Sequence, residues 1–332
     1  MILRDSILIR LSGLAVILVV SALASISSGA VSVPIGTVLS ALMGGADATT
    51  RAIVLELRLP RIVLAVLVGG GLAMSGAVFQ ALLRNPLAEP YVLGVSGGAA
   101  VGAVAATILG LSVLLPWALP LAAFAGAVFA IVLVFWIAMR VGRGLDTRVL
   151  VLAGVVIGAF FNAVILLLLT FADVESFRSA VFWMMGSLAR ASWRGTLLAG
   201  VYILPLAVVL IALARTFNLL ALGDETAHHL GVRVERARIA AYAMASLMVA
   251  AAVAMCGVIG FIGLIVPHAL RLVWGSDHRF LLPGTFLAGA AFLLVTDTAA
   301  RTLAAPAELP VGIITALAGV PVFVMILVRS PP

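Results

Sequence analysis

Long stretches without Asp, Glu or Arg alternate with short polar segments along this chain. The stretches are Leu11–Ala46, Ile62–Leu83, Pro90–Met139, Val149–Ala172, Gly195–Ala214, Ile239–Leu270, Phe280–Thr296 and Leu309–Val328. A helix that crosses a bilayer needs about 20 mostly apolar residues. Pro90–Met139 is long enough for two helices and is interrupted by Gly110, Pro116 and Pro120. The pattern therefore predicts nine membrane-spanning helices, or ten if Ile239–Leu270 also folds back on itself.

The distribution of arginine distinguishes nine spans from ten, because cytoplasmic loops carry an excess of basic residues. With the N-terminus in the cytoplasm, ten spans place 13 of the 20 basic residues inside and 7 outside, whereas nine spans give 11 and 9. We therefore predict an all-α, polytopic membrane protein with ten transmembrane helices and both termini in the cytoplasm. Residues 1–332 form one domain in this prediction. Ile239–Leu270 folds back as a long and a short helix, with Pro267 breaking the pattern.

Composition excludes several classes of protein. Hydrophobic residues make up 64% of the chain and charged residues only 10%, against about 25% charged residues in soluble domains, which excludes a soluble enzyme and a nucleic-acid-binding protein. Residues 1–30 resemble a signal peptide, but Leu11–Ala46 is long enough to span, so we predict a retained first transmembrane helix. The single Cys256 lies in an apolar stretch and is expected to be a buried thiol.

The sequence lacks the usual motifs of an energy source. It contains no phosphate loop of the G-x-x-x-x-G-K type and no H-E-x-x-H zinc motif. Asp297 is the one acidic residue in or near a span, and Arg301 lies four positions later, where it can pair with it. Since ion-driven carriers usually place ionisable groups in mid-membrane, we expect another subunit to supply the energy. An ion-coupled secondary transporter remains a distant alternative. We expect no catalysis, metal or cofactor in this chain.

Specific motifs follow one another along nearly the whole chain: Leu57–Arg61, Arg84–Pro90, Leu93–Gly98, Trp183–Leu188, Leu222–Val232, Gly260–His268, Asp277–Arg279, Leu282–Gly284 and Pro306–Gly312. This set closely resembles the FecCD family, the permeases of type II ATP-binding cassette (ABC) importers for ferric siderophores, heme and cobalamin. The resemblance implies a ten-helix permease fold in the bacterial inner membrane. It implies a homodimer, two ATPase subunits that hold ATP and magnesium, and a periplasmic substrate-binding protein. It favours an iron chelate, heme included, as cargo, with cobalamin as the alternative.

Residues 221–237, between the sixth and seventh spans, are the candidate energy-coupling segment. Asp224 and Glu225 can begin a short helix because acidic side chains favour helix N-termini, and Gly231 can end it. The resemblance implies that this helix docks in a cleft of the ATPase, whereas the alternative is an ordinary solvated loop. The candidate coupling residues are Leu222, Gly223, Asp224, Glu225, Ala227, His228, Leu230, Gly231 and Val232.

Arg58, Arg61 and Arg301 fall on the predicted outer side, against the positive-inside trend. The resemblance implies that they receive acidic residues of the binding protein, since complementary charge fixes the register of a transient contact. Headgroup contact is the alternative, as is pairing with Asp297 for Arg301.

Two further sets of residues match the family by position. The cytoplasmic gate would consist of Asn85 and Leu87 in one turn and Asp146 and Thr147 in another, although the family often has small hydroxyl residues at positions 147 and 148. The translocation path would be lined by Gly154, Gly158 and Asn162. Helix packing is the alternative for these last three, because small residues let membrane helices approach closely. His268 is expected to be a structural polar residue near the inner surface and not a heme ligand.

Overall fold

The computed structural model describes residues 2–29, 31–115, 117–141 and 146–329, and all regular elements in these ranges are helical. The first half contains α1 (Ile2–Ser27), α2 (Ile35–Leu42), α3 (Ala48–Ala52), a π-helical turn (Ile53–Arg58), α4 (Leu59–Leu82), a 3-10 turn (Pro90–Leu93), α5 (Val95–Ile108), α6 (Leu111–Leu114) and α7 (Ala118–Val141). The second half contains α8 (Thr147–Thr170), α9 (Val174–Met184), α10 (Trp193–Ala212), α11 (Ala214–Ala221), α12 (Asp224–His229), α13 (Val234–Cys256), α14 (Ile262–Trp274), α15 (His278–Thr302) and α16 (Val311–Arg329).

Seven helical segments of the described ranges are long and apolar enough to cross a membrane, and the longest joins α3, the π turn and α4. Three further apolar helices, α5, α14 and α16, are shorter. The predicted all-helical membrane fold is therefore confirmed. The count of ten spans stays a prediction, because a short helix crosses a bilayer only where the membrane or its neighbours accommodate it.

Helix α4 forms the centre of the bundle. In its most apolar window 89% of the residues are buried, against 6% in α1. Small residues make this possible: a Cβ atom at Gly69 would collide with the carbonyl oxygen of Gly289 in α15, and one at Gly76 would collide with that of Gly263 in α14. The backbones of three helices thus touch directly, a form of packing that only glycine permits.

Aspartates begin several of the helices. Asp146 accepts the N–H of Arg148 at 2.8 Å at the start of α8, and Asp173 accepts that of Ser176 at 3.0 Å at the start of α9. These carboxylates satisfy N–H groups that have no partner within the helix. The backbone hydrogen bond from Ser176 lowers the pKa of Asp173 below its ordinary value. Asp146 and Asp173 therefore stabilise the first turns of α8 and α9.

The stretch Ile239–Leu270 folds back on itself, as predicted. Helix α13 ends at Cys256 and α14 begins at Ile262. The prediction that the helical pattern breaks at Pro267 is wrong, because Pro267 lies inside α14. The chain turns instead at Gly257, whose φ of +71° suits a residue without a Cβ atom.

Helix α9 is not predicted by the sequence pattern. It is an 11-residue helix between α8 and α10, exposed over most of its first turns and buried at Ala180 and Trp183. It is too short to span and too polar to appear as an apolar stretch.

Candidate functional site

The predicted short helix of the coupling segment is present as α12. It begins at Asp224 directly after Gly223, whose φ is +119°, and it ends at His229. Gly231 follows in the left-handed region with a φ of +86°. Both glycines allow sharp changes of direction, so that α12 is set off from α11 and α13 as a separate short element.

Two exposed leucines flank the polar helix α12, Leu222 before it and Leu230 after it. The exposed fractions are 65% for Leu222 and 58% for Leu230, whereas Ala227 within α12 is fully buried. Val232 is half-buried, and its N–H donates to the carbonyl of Ala227 at 3.0 Å. An exposed apolar patch with a polar rim is typical of a surface that contacts another protein.

The polar residues of α12 divide into two groups. Glu225, His228 and His229 are exposed, and the two imidazole rings lie 6.2 Å apart between centroids. Asp224 instead binds within the chain. Its Oδ1 accepts a hydrogen bond from Arg238 in α13 at 2.7 Å and another from Arg84, which follows α4.

The turn after α4 contains the first half of the predicted gate. Asn85 is exposed, and its side-chain oxygen accepts the N–H of Leu87 at 2.9 Å, which stabilises the turn. Leu87 is 39% exposed. In the second half, Asp146 caps α8 and Thr147 is its first residue. Within the described residues no hydrogen bond joins the two halves, so their role as one gate stays a prediction.

The three predicted path residues of α8 have different surroundings. Gly154 is buried, and a Cβ atom there would collide with the carbonyl oxygen of Val92. Gly158 has open space where its Cβ would lie, and Asn162 is exposed. Gly154 therefore makes a packing contact inside the chain, and the exposed face of α8 is the one that carries Asn162.

The opposite end of α4 carries a cluster of four largely buried charges and one exposed charge, Glu308, that we call the outer ion cluster: Arg58, Arg61, Asp297, Arg301 and Glu308. Arg61 binds Asp297 at 2.9 Å and Glu308 at 2.9 Å. Arg301 binds Asp297 at 3.2 Å, four positions earlier in α15, which confirms the pairing considered from the sequence. The side chains of Arg61, Arg301 and Asp297 are only 12%, 6% and 2% exposed.

Arg58 and Arg301 also hold the end of α1. Arg58 donates to the carbonyl oxygens of Ile26, at 2.6 Å, and of Val31. Arg301 donates to the carbonyl of Ser28 at 3.0 Å and to the hydroxyl of Ser25 at 2.8 Å. The structure thus brings the three predicted docking arginines together, but their guanidinium groups are engaged inside the chain. Docking through them stays a prediction.

The two candidate sites lie at opposite ends of the bundle. Arg61 is in the first turn of α4 and Arg84 comes directly after its last turn, with 24 residues in the helix. At 1.5 Å per residue this separates them by about 36 Å, the order of a bilayer's thickness.

A cavity of about 940 Å³ opens at the end that carries the outer ion cluster. Its lining includes Arg178, Arg190, Arg194, Glu308 and Trp183. The three arginines are exposed. The cavity is not predicted by the sequence, because Arg178 in α9, Arg190 after it and Arg194 at the start of α10 all lie outside the apolar stretches.

Cys256 is buried, as predicted, and has a free thiol. His268 lies within α14, and its ring nitrogens are buried without a hydrogen-bond partner among the described residues.

Known proteins resemble this chain over nearly its whole length. The hemin transport system permease protein of Yersinia pestis is 43% identical over 97% of this chain and 96% of that protein. The cobalamin import system permease protein of Halobacterium salinarum is 48% identical over 86% of this chain and 76% of that protein. A solved structure of an ABC transporter assigned to the metal-chelate type, in an inward-facing conformation, is 35% identical, with a TM-score of 0.87 over 96% of this chain and 99% of that chain.

A family model agrees with these relatives. The model of the FecCD transport family matches residues 17–329. The matched range includes α12, the turn after α4 and the outer ion cluster. The chain therefore belongs to the FecCD transport family.

Proposed function

We propose that this chain is the membrane-spanning subunit of an ATP-driven importer that moves an iron chelate, heme or a ferric siderophore, across the bacterial inner membrane. The observation that carries the proposal is the short helix α12, which is flanked by the exposed Leu222 and Leu230 at the cytoplasmic end predicted from the arginine distribution. Two leucine side chains more than half exposed on either side of one short helix suit contact with a protein partner. In this proposal the partner is an ATPase subunit that binds ATP and magnesium.

A second copy of the chain completes the path in this proposal. Asn162 is an exposed polar side chain well inside α8, and Val155 and Leu166 on the same face are 57% and 59% exposed. A polar side chain in contact with lipid would lack hydrogen-bond partners. Packing of α8 against its copy around a central path gives Asn162 either a partner or water. Two copies then bind two ATPase subunits, and alternating access moves the cargo between them.

A periplasmic binding protein delivers the cargo at the outer end in this proposal. Its acidic residues would contact the outer ion cluster through Arg61, whose ion pair with Glu308 is the accessible one. Glu308 is 43% exposed while Asp297 is 2% exposed. An incoming carboxylate can therefore displace Glu308 without uncovering the buried pair. Arg58 and Arg301 would act by keeping the local potential positive.

The cargo assignment rests on relatives and on charge. The hemin permease aligns with 97% of this chain, and the exposed Arg178, Arg190 and Arg194 around the outer cavity suit the carboxylates of heme or of many siderophores. Cobalamin is the second candidate, because a cobalamin permease is 48% identical. Hemin and cobalamin each consist of a metal held in a large organic ligand.

Uptake into proteoliposomes tests the proposal. The chain would be reconstituted with its ATPase, with the binding protein outside, and with hemin, a ferric siderophore or cobalamin as cargo. We expect ATP-dependent uptake of hemin or the siderophore. Uptake of cobalamin alone would transfer the assignment to the second candidate, and uptake that ignores ATP but follows an ion gradient would refute the importer.

A variant of α12 tests the coupling surface. Leu230→Asp, or Leu222→Asp, places a charge on the proposed contact, and we expect ATP hydrolysis to lose its link to transport. Leu222→Met and Leu230→Met keep an apolar surface and serve as controls. Coupled transport at the wild-type rate in the Asp variants would contradict the assignment of α12.

A further inference from the structure

The turn between α4 and the predicted gate has an unusual residue at its centre. The N–H of Arg84 donates to the carbonyl of Ala81 at 3.3 Å, and the N–H of Asn85 donates to that of Gln80 at 3.1 Å. This pair of hydrogen bonds is the Schellman motif, which ends many helices with a residue in the left-handed region. Glycine is the usual residue there, but here the position is held by Arg84, with a φ of +49°.

Stability alone does not account for an arginine at this position. A residue with a Cβ atom is disfavoured in the left-handed region. Arg84 forms an ion pair with Asp224, but both side chains are more than 40% exposed. An exposed ion pair adds little stability, because solvent screens it. The fold therefore gains little from arginine over glycine at this position, which points to another role for the side chain.

The contacts of Arg84 point to that role. Its Nη2 donates to the carbonyl of Leu220, at the end of α11, at 3.2 Å and to the carboxylate of Asp224, at the start of α12. These two acceptors lie on either side of Gly223, where the chain bends. Arg84 therefore joins the two sides of the bend between α11 and α12. Arg238 binds the same carboxylate from α13 at 2.7 Å.

The turn that contains Arg84 is bound to the membrane helices through Gln80. The amide nitrogen of Gln80 donates to the carbonyls of Ala88 at 3.3 Å and of Gly263 in α14 at 3.2 Å, and Arg271 donates to the Gln80 oxygen. Gln80 thus joins the end of α4, the turn that follows and α14. A displacement at Arg84 is passed to this whole segment, which includes Leu87.

We propose that Arg84 is the residue that connects α12 to the turn Asn85–Leu87, so that movement of α12 against its ATPase moves the inner gate. The inference rests on the proposed function for its ATPase and its gate. Arg84 is a positioning residue: it touches neither cargo nor nucleotide. Arg84, α12 and the turn Asn85–Leu87 all belong to the same chain, so the connection itself requires no partner subunit.

Arg84→Gly is the informative variant, because glycine keeps the left-handed turn and removes only the side chain. Arg84→Lys keeps the charge, and Arg215→Gln removes one exposed arginine of α11, outside the coupling segment, as a matched control. In the reconstituted complex we expect Arg84→Gly to hydrolyse ATP but to move at least five-fold less cargo per ATP than the wild type. Arg84→Lys should recover at least half of the wild-type ratio, and Arg215→Gln should keep it. A wild-type ratio in Arg84→Gly overturns the inference.

A second measurement does not depend on transport. Hydrogen–deuterium exchange of the complex in lipid nanodiscs reports the backbone amides of α12 directly. We expect at least three-fold faster exchange in residues 224–230 of Arg84→Gly and no change in Arg215→Gln. Unchanged exchange in Arg84→Gly overturns the connection through Arg84, even if the complex transports nothing. If the wild type shows no ATP-driven uptake, the proposed function is refuted, but the exchange result remains valid.

Discussion

Asp297 should be the most sensitive charge in the molecule, and Glu308 provides its control. Both carboxylates bind Arg61 at 2.9 Å, but the exposed fraction of the side chain is 2% for Asp297 and 43% for Glu308. Removal of one partner from a buried ion pair costs about 3–5 kcal/mol. Asp297→Asn leaves Arg61 and Arg301 without their shared carboxylate but keeps one oxygen acceptor. We therefore expect a loss near the lower limit, about 3 kcal/mol.

For Glu308→Gln we expect a loss below about 1 kcal/mol, because solvent screens an exposed ion pair. The free energy of unfolding would be measured for the purified protein in mixed micelles, by circular dichroism against an increasing fraction of denaturing detergent. A double variant, Arg61→Gln with Asp297→Asn, should cost less than the sum of the single variants, since both remove the same ion pair. Equal losses for Asp297→Asn and Glu308→Gln would refute the argument that burial decides the strength of this cluster.

Two other predictions follow from packing and from helix capping. Gly69→Ala should lower the melting temperature and cost about 1–3 kcal/mol, because its Cβ meets the backbone of α15, whereas Gly158→Ala has open space and should be neutral or slightly stabilising. Asp277 begins α15, and its side-chain hydrogen bond with Arg279 lowers its pKa to about 2. Because the pKa of this acid is lower in the folded state than its unfolded value of about 3.9, the stabilisation is complete above that value and is lost as the pH falls towards 2. Asp277→Asn should remove this part of the acid sensitivity in melting curves between pH 5 and pH 2, and an unchanged pH profile would contradict the assignment.

Local signals in the sequence were sufficient for the long apolar helices and for the bounds of the short helix α12. An apolar stretch specifies a membrane helix by length alone. Asp224 and Gly231 mark the ends of α12 because their effects on a helix act within one turn. The fold-back after α13 was predicted as well, although its position at Gly257 was not: several glycines and a proline lie in that stretch, and their packing partners decide which of them bends.

Contacts between distant positions could not be predicted from the sequence. Arg61 and Asp297 are 236 positions apart, and nothing local indicates that they meet. The pairing of Asp297 with Arg301 was foreseen because it lies within one helical turn. Arg84 was included in a motif but had no individual role, because an arginine gives no signal for a turn that glycine normally occupies. The exposed arginines of the outer cavity were also missed, since their significance depends on how α9 folds over it.

The direct contacts between backbones at Gly69 and Gly76 have a consequence for motion. Contacts between side chains can adjust by a change of rotamer, but a backbone held against another backbone has no such freedom. Helices α4, α14 and α15 are therefore expected to keep their positions relative to one another and to move as one body through a transport cycle. Movement relative to this body is left to helices with fewer residues buried within the chain, such as α8 and α10, whose most apolar windows are only 33% and 28% buried. The glycines thus divide the chain into a part that keeps its shape and a part that can change it.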